Sequence, residues 1–454
     1  ACARPGGHVW AERPCLVMAS EVAPCMPLHL FRRAVGARRP RPQDVCRRLT
    51  EDLNALAARP HAAVGEGTGA SIFAAVACGV ALTPHTSAAS TGPLPLSMSA
   101  PATGTAEEQA QRTVSEDVQK QLSTILEVLE DAAERSERGT FATGGGDAPH
   151  DSAAEFLSQF LAADLPVRLV ASLGDLEFEV RKDVISVFSA IIRLGSQLGA
   201  DKQMQEYARA HPRFFELLVE GYMRPEIATH CGMVLRSLAR HRRLVEAFLN
   251  QPEVAMRLLT FTTHASFDVS SDAFSSLHDF LLLHKAVSAA FLEANFREFF
   301  GLYNGLLKPD DYVTQRQALK LLSEMLLDRN FMRVMLMYIG DEQFLQIHMR
   351  LLRADSKAIQ FEAFHVFKIF VANPHKPPRV QQILYKNKDK LVKLLENLRP
   401  NRPDDKQFME DKTAVIGKLE ALEGPPTKTV SLPAATAATP PGGVPVVGLA
   451  DHSD

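Results

Sequence analysis

The sequence predicts an all-α fold of the armadillo or HEAT type, a helical-repeat solenoid (α-α superhelix), and three observations predict it. The first is the stretch IQFEAFHVFKIFVANP, residues 359–374. There Ile359, Ala363, Phe367 and Phe370 fall at i, i+4, i+8 and i+11 and share one stripe of an α-helix, while Gln360, Glu362, His365 and Lys368 point elsewhere. The second is recurrence. The stripe returns as Thr314, Ala318, Leu322, Met325; as Val269, Ala273, Leu277, Phe280; as Ile227, Cys231, Leu235, Leu238; and as Val180, Val184, Phe188, Ile191. Taking the second member of each copy, the steps are 47, 42, 45 and 45 residues. A period of about 40–47 residues in a helical sequence marks armadillo or HEAT units. One such unit cannot bury its own apolar face, so stability requires stacked neighbours. The third observation is punctuation: Arg224-Pro225, Gln251-Pro252, Lys308-Pro309, Pro377-Pro378 and Pro400 all fall between copies.

Taken in order, residues 1–40 lack periodicity and read as a disordered leader. Nine arginines lie in the first 48 residues against Glu12, Glu21 and Asp44, but Pro and Gly interrupt any amphipathic pattern, so a leader is expected rather than an organelle signal. Residues 41–57 form a first helix, with Val45, Leu49, Leu53 and Leu56 on one face. Residues 58–105, rich in Ala, Gly, Ser, Thr and Pro, read as a low-complexity insertion or linker. The body, 106–422, opens with a long helix from Ala106 to Arg135, whose Val118, Leu122, Leu126 and Leu129 repeat the spacing. A Gly144-Gly145-Gly146 loop follows. Each later copy is preceded by a shorter helical segment: Asp151 to Leu161, Arg213 to Glu220, Phe296 to Leu307. A last pair, Val380 to Leu398 and Asp404 to Leu422, ends the array, and residues 423–454 read as a disordered tail.

Composition narrows the function. Apolar content of 46% and charge of 23% are globular values. A formal net charge of −3 argues against a dedicated nucleic-acid binder, which needs a basic excess. The longest apolar run, Ile72 to Leu82, is too short to span a bilayer, and no membrane partner is expected. Four of the six cysteines lie in the first 46 residues, and no CxxC pair occurs, which predicts neither a disulfide framework nor zinc. A reducing, cytoplasmic setting is expected.

No catalytic constellation stands out. His230, His241, His264, His278, His284, His348 and His365 are scattered, with no HExxH or HxxxH to place two imidazoles on one face. There is no P-loop and no GxSxG, and no DxDxDG loop supports calcium binding. The run Lys386, Lys388, Lys390, Lys393 reads as a solvated helix face. No enzyme activity, cofactor or metal is expected.

The strings PEIATHCG (225–232), SFDVSSDAF (266–274), HKAVSAAFLEANF (284–296), YVTQRQALKLLSEMLLDR (312–329) and QFEAFHVFKIFVANP (360–374) resemble the mouse protein 25 scaffold family, also called calcium-binding protein 39-like. The resemblance covers residues 106–422, and 41–57 resemble its first helix. It implies a non-catalytic helical-repeat scaffold that binds sterile-20-class serine/threonine kinases or a related pseudokinase on a concave face. It also implies a pocket near the scaffold's C-terminus for a Trp-Glu-Phe-type C-terminal peptide of the partner. Matched position by position, the pocket residues are Arg316, Lys320 and Met349, and Arg329 belongs to the kinase-facing surface. Arg316 and Lys320, at i and i+4 off the apolar stripe, suit a peptide's carboxylates. Met349 suits an aromatic anchor. The chain departs from the family pattern at Phe331-Met332 and at Gln346, which bears on the kinase-facing contacts more than on the pocket. A helical-repeat adaptor for a different peptide or cargo is the alternative reading.

Overall fold

The computed structural model describes residues 41–58, 106–137, 149–198, 200–308, 311–399 and 405–424. The expected leader at 1–40, residues 59–105 of the expected insertion at 58–105, the glycine loop at 144–146, Pro309, Pro400 and the expected tail beyond 424 lie outside the described residues. The described residues form nineteen α-helices and three 3-10 turns, with no strand among them. The chain divides into two compact units, Ala1–Ala247 and Phe248–Asp454.

In the first unit α1 (Pro42–Ala57) packs against α2 (Ala106–Glu137), α3 (Pro149–Ala162) and α4 (Leu165–Ser172). Then come α5 (Phe178–Leu198), α6 (Ala200–Ala210), α7 (Arg213–Glu220), α8 (Pro225–Ala239) and α9 (Arg242–Leu249), within which the boundary falls. The second unit holds α10 (Pro252–Phe261), α11 (Phe267–Leu282), α12 (Lys285–Ala294), α13 (Phe296–Tyr303), α14 (Tyr312–Leu327), α15 (Met332–Gly340), α16 (Glu342–Leu351), α17 (Lys357–Ala372), α18 (Pro378–Asn397) and α19 (Lys406–Glu420).

Helices of equal rank stack on one another. In the first unit α2, α5 and α8, the stripe-bearing helices, pack in succession; in the second, α11, α14 and α17 do the same and α17 meets α19. The short helices that precede them pair likewise, α4 with α7 and α10 with α13, and α12 pairs with α15. Stacking explains the stripe: all twenty of its side chains in the five copies are buried, none more than 6% exposed. The structure adds a third helix to the repeat, formed by segments such as Lys285–Ala294 and Met332–Gly340 after the stripe-bearing helix.

Two details differ from the sequence reading. On α2 the fourth buried position is Ile125, and Leu126 is half-buried. At about 100° per residue Ile125 stands about 20° beyond one edge of the arc of Val118, Leu129 and Leu122, whereas Leu126 stands about 40° beyond the other. The prolines between copies also act as starts rather than stops: Pro225, Pro252 and Pro378 occupy the first turn of α8, α10 and α18, where the missing N–H costs nothing.

Polar side chains tie the connections to the core. The Tyr303 hydroxyl donates to the Ala318 carbonyl at 2.8 Å, and the Gln315 amide donates to the Leu307 carbonyl at 2.9 Å, both buried. Together they fasten α14 to the 3-10 turn Asn304–Leu307 and to the end of α13. Cys46 and Cys231 are buried thiols outside any disulfide, and burial pushes the Cys46 thiol up to about 12.

Candidate functional site

Helix α14 opens with Asp311, whose carboxylate accepts from the Val313 N–H at 2.9 Å and from the Thr314 hydroxyl, which holds the carboxyl below its usual range. From that cap the helix buries Thr314, Gln315, Ala318, Leu319, Leu321, Leu322, Met325 and Leu326. Between its exposed ends, Tyr312 and Val313 at one and Leu327 at the other, an exposed ridge runs at i, i+4 and i+8: Arg316, Lys320 and Glu324. Lys320 Nζ lies 3.8 Å from Glu324 Oε1, a loose and largely solvated pair that contributes little to stability.

The ridge faces a carboxylate on the neighbouring helix. Burial pushes the Glu362 carboxyl of α17 above its usual range; Arg316 and Lys320 pull it back, and Glu324 adds to the rise. On the other side a groove of about 320 Å3 opens between α14 and α11. Its walls carry Gln317, Lys320 and Glu324 from α14 and His278 and Asp279 from α11. His278 bridges the two acids, 3.3 Å from Asp279 and 3.8 Å from Glu324. Lys320 therefore stands between two carboxylates and a groove, with its own charge 67% exposed.

Met349 lies on a different helix, α16, and is half-buried. It follows His348, a wholly buried ring whose Nε2 is 3.0 Å from the Tyr338 hydroxyl. That hydroxyl donates to Asn304 Oδ1 at 3.0 Å, so the ring nitrogen is the donor to Tyr338 and the tautomer is fixed. Burial holds the His348 imidazole down to about 3. This chain of Asn304, Tyr338 and His348 anchors α16 to α15 and to the turn after α13, and with it the position of Met349.

Arg329 begins the 3-10 turn Arg329–Phe331 and is exposed. The preceding Asp328 accepts from Lys285 Nζ at 2.6 Å and from the backbone and side-chain N–H groups of Asn330 at 2.8 Å each, which lowers its carboxyl to about 2. The turn is thus pinned to α12. Phe331 is fully buried, while Leu327 (52% exposed) and Met332 (49% exposed) flank Arg329 at the surface. In the Phe331-Met332 departure, then, the aromatic ring belongs to the core and the methionine to the surface. Gln346 is exposed on α16.

The structure thus brings Arg316 and Lys320 together with Glu324 and Glu362, and places Met349 and Arg329 on separate helical segments of the same unit. A family model decides what kind of chain this is: the Mo25-like model matches residues 93–423. The chain belongs to the Mo25-like family. Among its relatives, the human "Calcium-binding protein 39-like" is 38% identical over 321 residues, covering 70% of this chain and 90% of that one. The "Degreening-related gene dee76 protein" of Auxenochlorella protothecoides is 40% identical over 69% of this chain and 94% of its own. The "Mo25-like protein" of Schizosaccharomyces pombe reaches 42% over 60% and 82%. Among the described residues of this Mo25-like chain, no group of three or more His, Cys, Asp or Glu side chains is arranged to hold a metal ion. None of its described helices is long and apolar enough to cross a membrane.

Glu362 and the His278–Asp279 wall escaped the sequence reading because they come from adjacent repeats, about 45 residues away along the chain.

Proposed function

We propose that this chain is a non-catalytic, cytoplasmic scaffold that binds and activates a sterile-20-class protein kinase, or a related pseudokinase. Arg316, Lys320 and Met349 hold a Trp-Glu-Phe-type C-terminal peptide of the partner, and Arg329 lies on the kinase-facing surface. The carrying observation is the ridge of α14, with two exposed cations one turn apart, Arg316 and Lys320, beside the carboxylates of Glu324 and Glu362. A peptide's glutamate and terminal carboxylate would replace Glu324 and Glu362 as their counter-charges, gaining charge-assisted hydrogen bonds. Arg329, set between exposed Leu327 and Met332, has the composition of a binding hot spot: a cation on an apolar rim. Activation requires only that the scaffold prefer the closed, active kinase over the open one.

The test is a kinase assay. Adding the full chain to a sterile-20-class kinase should raise phosphorylation of a generic substrate, and Arg329→Ala should lower the gain several-fold without altering the helical circular dichroism signal. Unchanged kinase activity at saturating scaffold would sink the activation reading. Capture of an unrelated peptide through the same ridge would support the adaptor instead.

A further inference from the structure

Helix α18 is charge-segregated. Between Lys376 and Arg399 the sequence carries seven basic residues and two acidic ones, in a chain whose formal net charge is −3. Its buried face consists of Val380, Leu384, Leu391 and Leu395. At about 100° per residue, Arg379, Lys386, Lys390 and Lys393 fall in one narrow arc turned well away from that face. Asp389 and Glu396 lie together on a separate flank. All four basic residues of the arc are exposed. Arg379 pairs with Glu342 at 3.1 Å, but Lys386, Lys390 and Lys393 have no carboxylate partner among the described residues. Half-buried Ile383 and Leu394 border the arc on the side leading to the core.

We propose that the lysine face of α18 docks this protein on an anionic phospholipid surface. Unpaired like charges at i, i+4 and i+7 cost a helix stability, so an unneutralised row is expected to meet a negative partner. The row is a helix ridge made of point-charge lysines rather than forked arginines, which suits a diffuse, laterally mobile array of headgroups. Basic clusters on an amphipathic helix are the usual readout of such surfaces, and the half-buried Ile383 and Leu394 supply the apolar edge that lysine stems lie along. No spanning helix is involved; the contact is peripheral and electrostatic. It is independent of the peptide site on α14 and α16.

The experiment is sedimentation of the full chain with vesicles of phosphatidylcholine containing about one-third phosphatidylserine, against vesicles of phosphatidylcholine alone. The wild type should partition to the first and not the second, and lose binding steeply as salt shortens the screening length. The triple variant Lys386→Gln, Lys390→Gln, Lys393→Gln should bind at least tenfold more weakly, since each charge near such a surface is worth about fivefold. A control of equal charge, Lys120→Gln, Lys202→Gln, Lys308→Gln, should bind as the wild type does. Absence of binding to the anionic vesicles overturns the proposal. So does equal loss in both triple variants, which would reduce the effect to net charge. Binding of a poly-glutamate peptide by the lysine face, with none to vesicles, would overturn it in favour of an acidic protein partner.

Discussion

His348 should make this protein acid-labile in a way that one substitution removes. In the native state the ring is fully buried; Nε2 is used by Tyr338, and Nδ1 has no partner. A second proton would place a charged N–H where nothing accepts it, which is why the imidazole stays neutral down to about 3. The unfolded chain takes up that proton near the ordinary value of about 6.5. The unfolded state therefore binds more protons between those limits, and stability falls as the pH drops through them. At about 1.4 kcal/mol per pH unit, moving from pH 7 to 4.5 costs about 3 kcal/mol through this residue alone. His230 and His365, also lowered by burial, act in the same direction, while Asp183 and Glu362, raised by burial, act against it. The readout is consequently the difference between two proteins. Urea unfolding of the wild type and of His348→Gln, followed by circular dichroism at pH 7, 6, 5 and 4.5, should give curves that converge by about 3 kcal/mol on acidification. Parallel pH curves for the two proteins would refute the assignment of a buried, neutral His348.

Three further outcomes follow from the packing. Leu322→Ala, at a fully buried stripe position, should cost about 2–5 kcal/mol in urea unfolding, whereas Leu327→Ala, half-exposed on the same helix, should cost less than about 0.5 kcal/mol. A Cβ at Gly221 would collide with Cys231 Sγ, so Gly221→Ala should destabilise by about 1–3 kcal/mol, and Cys231→Ala in the same chain should restore part of that in a double-mutant cycle. Asp328, held at about 2 by Lys285, contributes stability that is present above the ordinary carboxylate value and lost as pH falls toward 2. Lys285→Met should therefore flatten that acid limb, with a cost near neutral pH below about 1 kcal/mol because the lysine is partly solvated.

Much of this architecture was legible because helices that stack on both sides must repeat their apolar stripe, and Ile359, Ala363, Phe367 and Phe370 do so at helical spacing. The third helix of each repeat was not. Segments such as Met332–Gly340 run only nine or ten residues, fewer than three turns, and are stabilised by packing on their equals. Ile125 in place of Leu126 on α2 is a smaller case, in which the width of the buried arc is set by neighbours and not by spacing. At the site, the exposure of Arg316 and Lys320 could be read from their offset to the stripe. The counter-charge from the next repeat could not, because Glu362 reaches them only when repeats stack. The core role of Phe331 likewise depends on the pinned turn at Asp328, a tertiary contact with Lys285.

The most direct test of the scaffold account is a titration of the full chain with a fluorescent peptide ending in Trp-Glu-Phe, read by anisotropy. The wild type should bind with a dissociation constant on the order of micromolar, and Arg316→Ala and Met349→Ala should each weaken it tenfold or more, the loss expected of a hot-spot residue. A folded, helical chain that leaves the peptide free, or binds it equally well in all three forms, would contradict the assignment of the pocket.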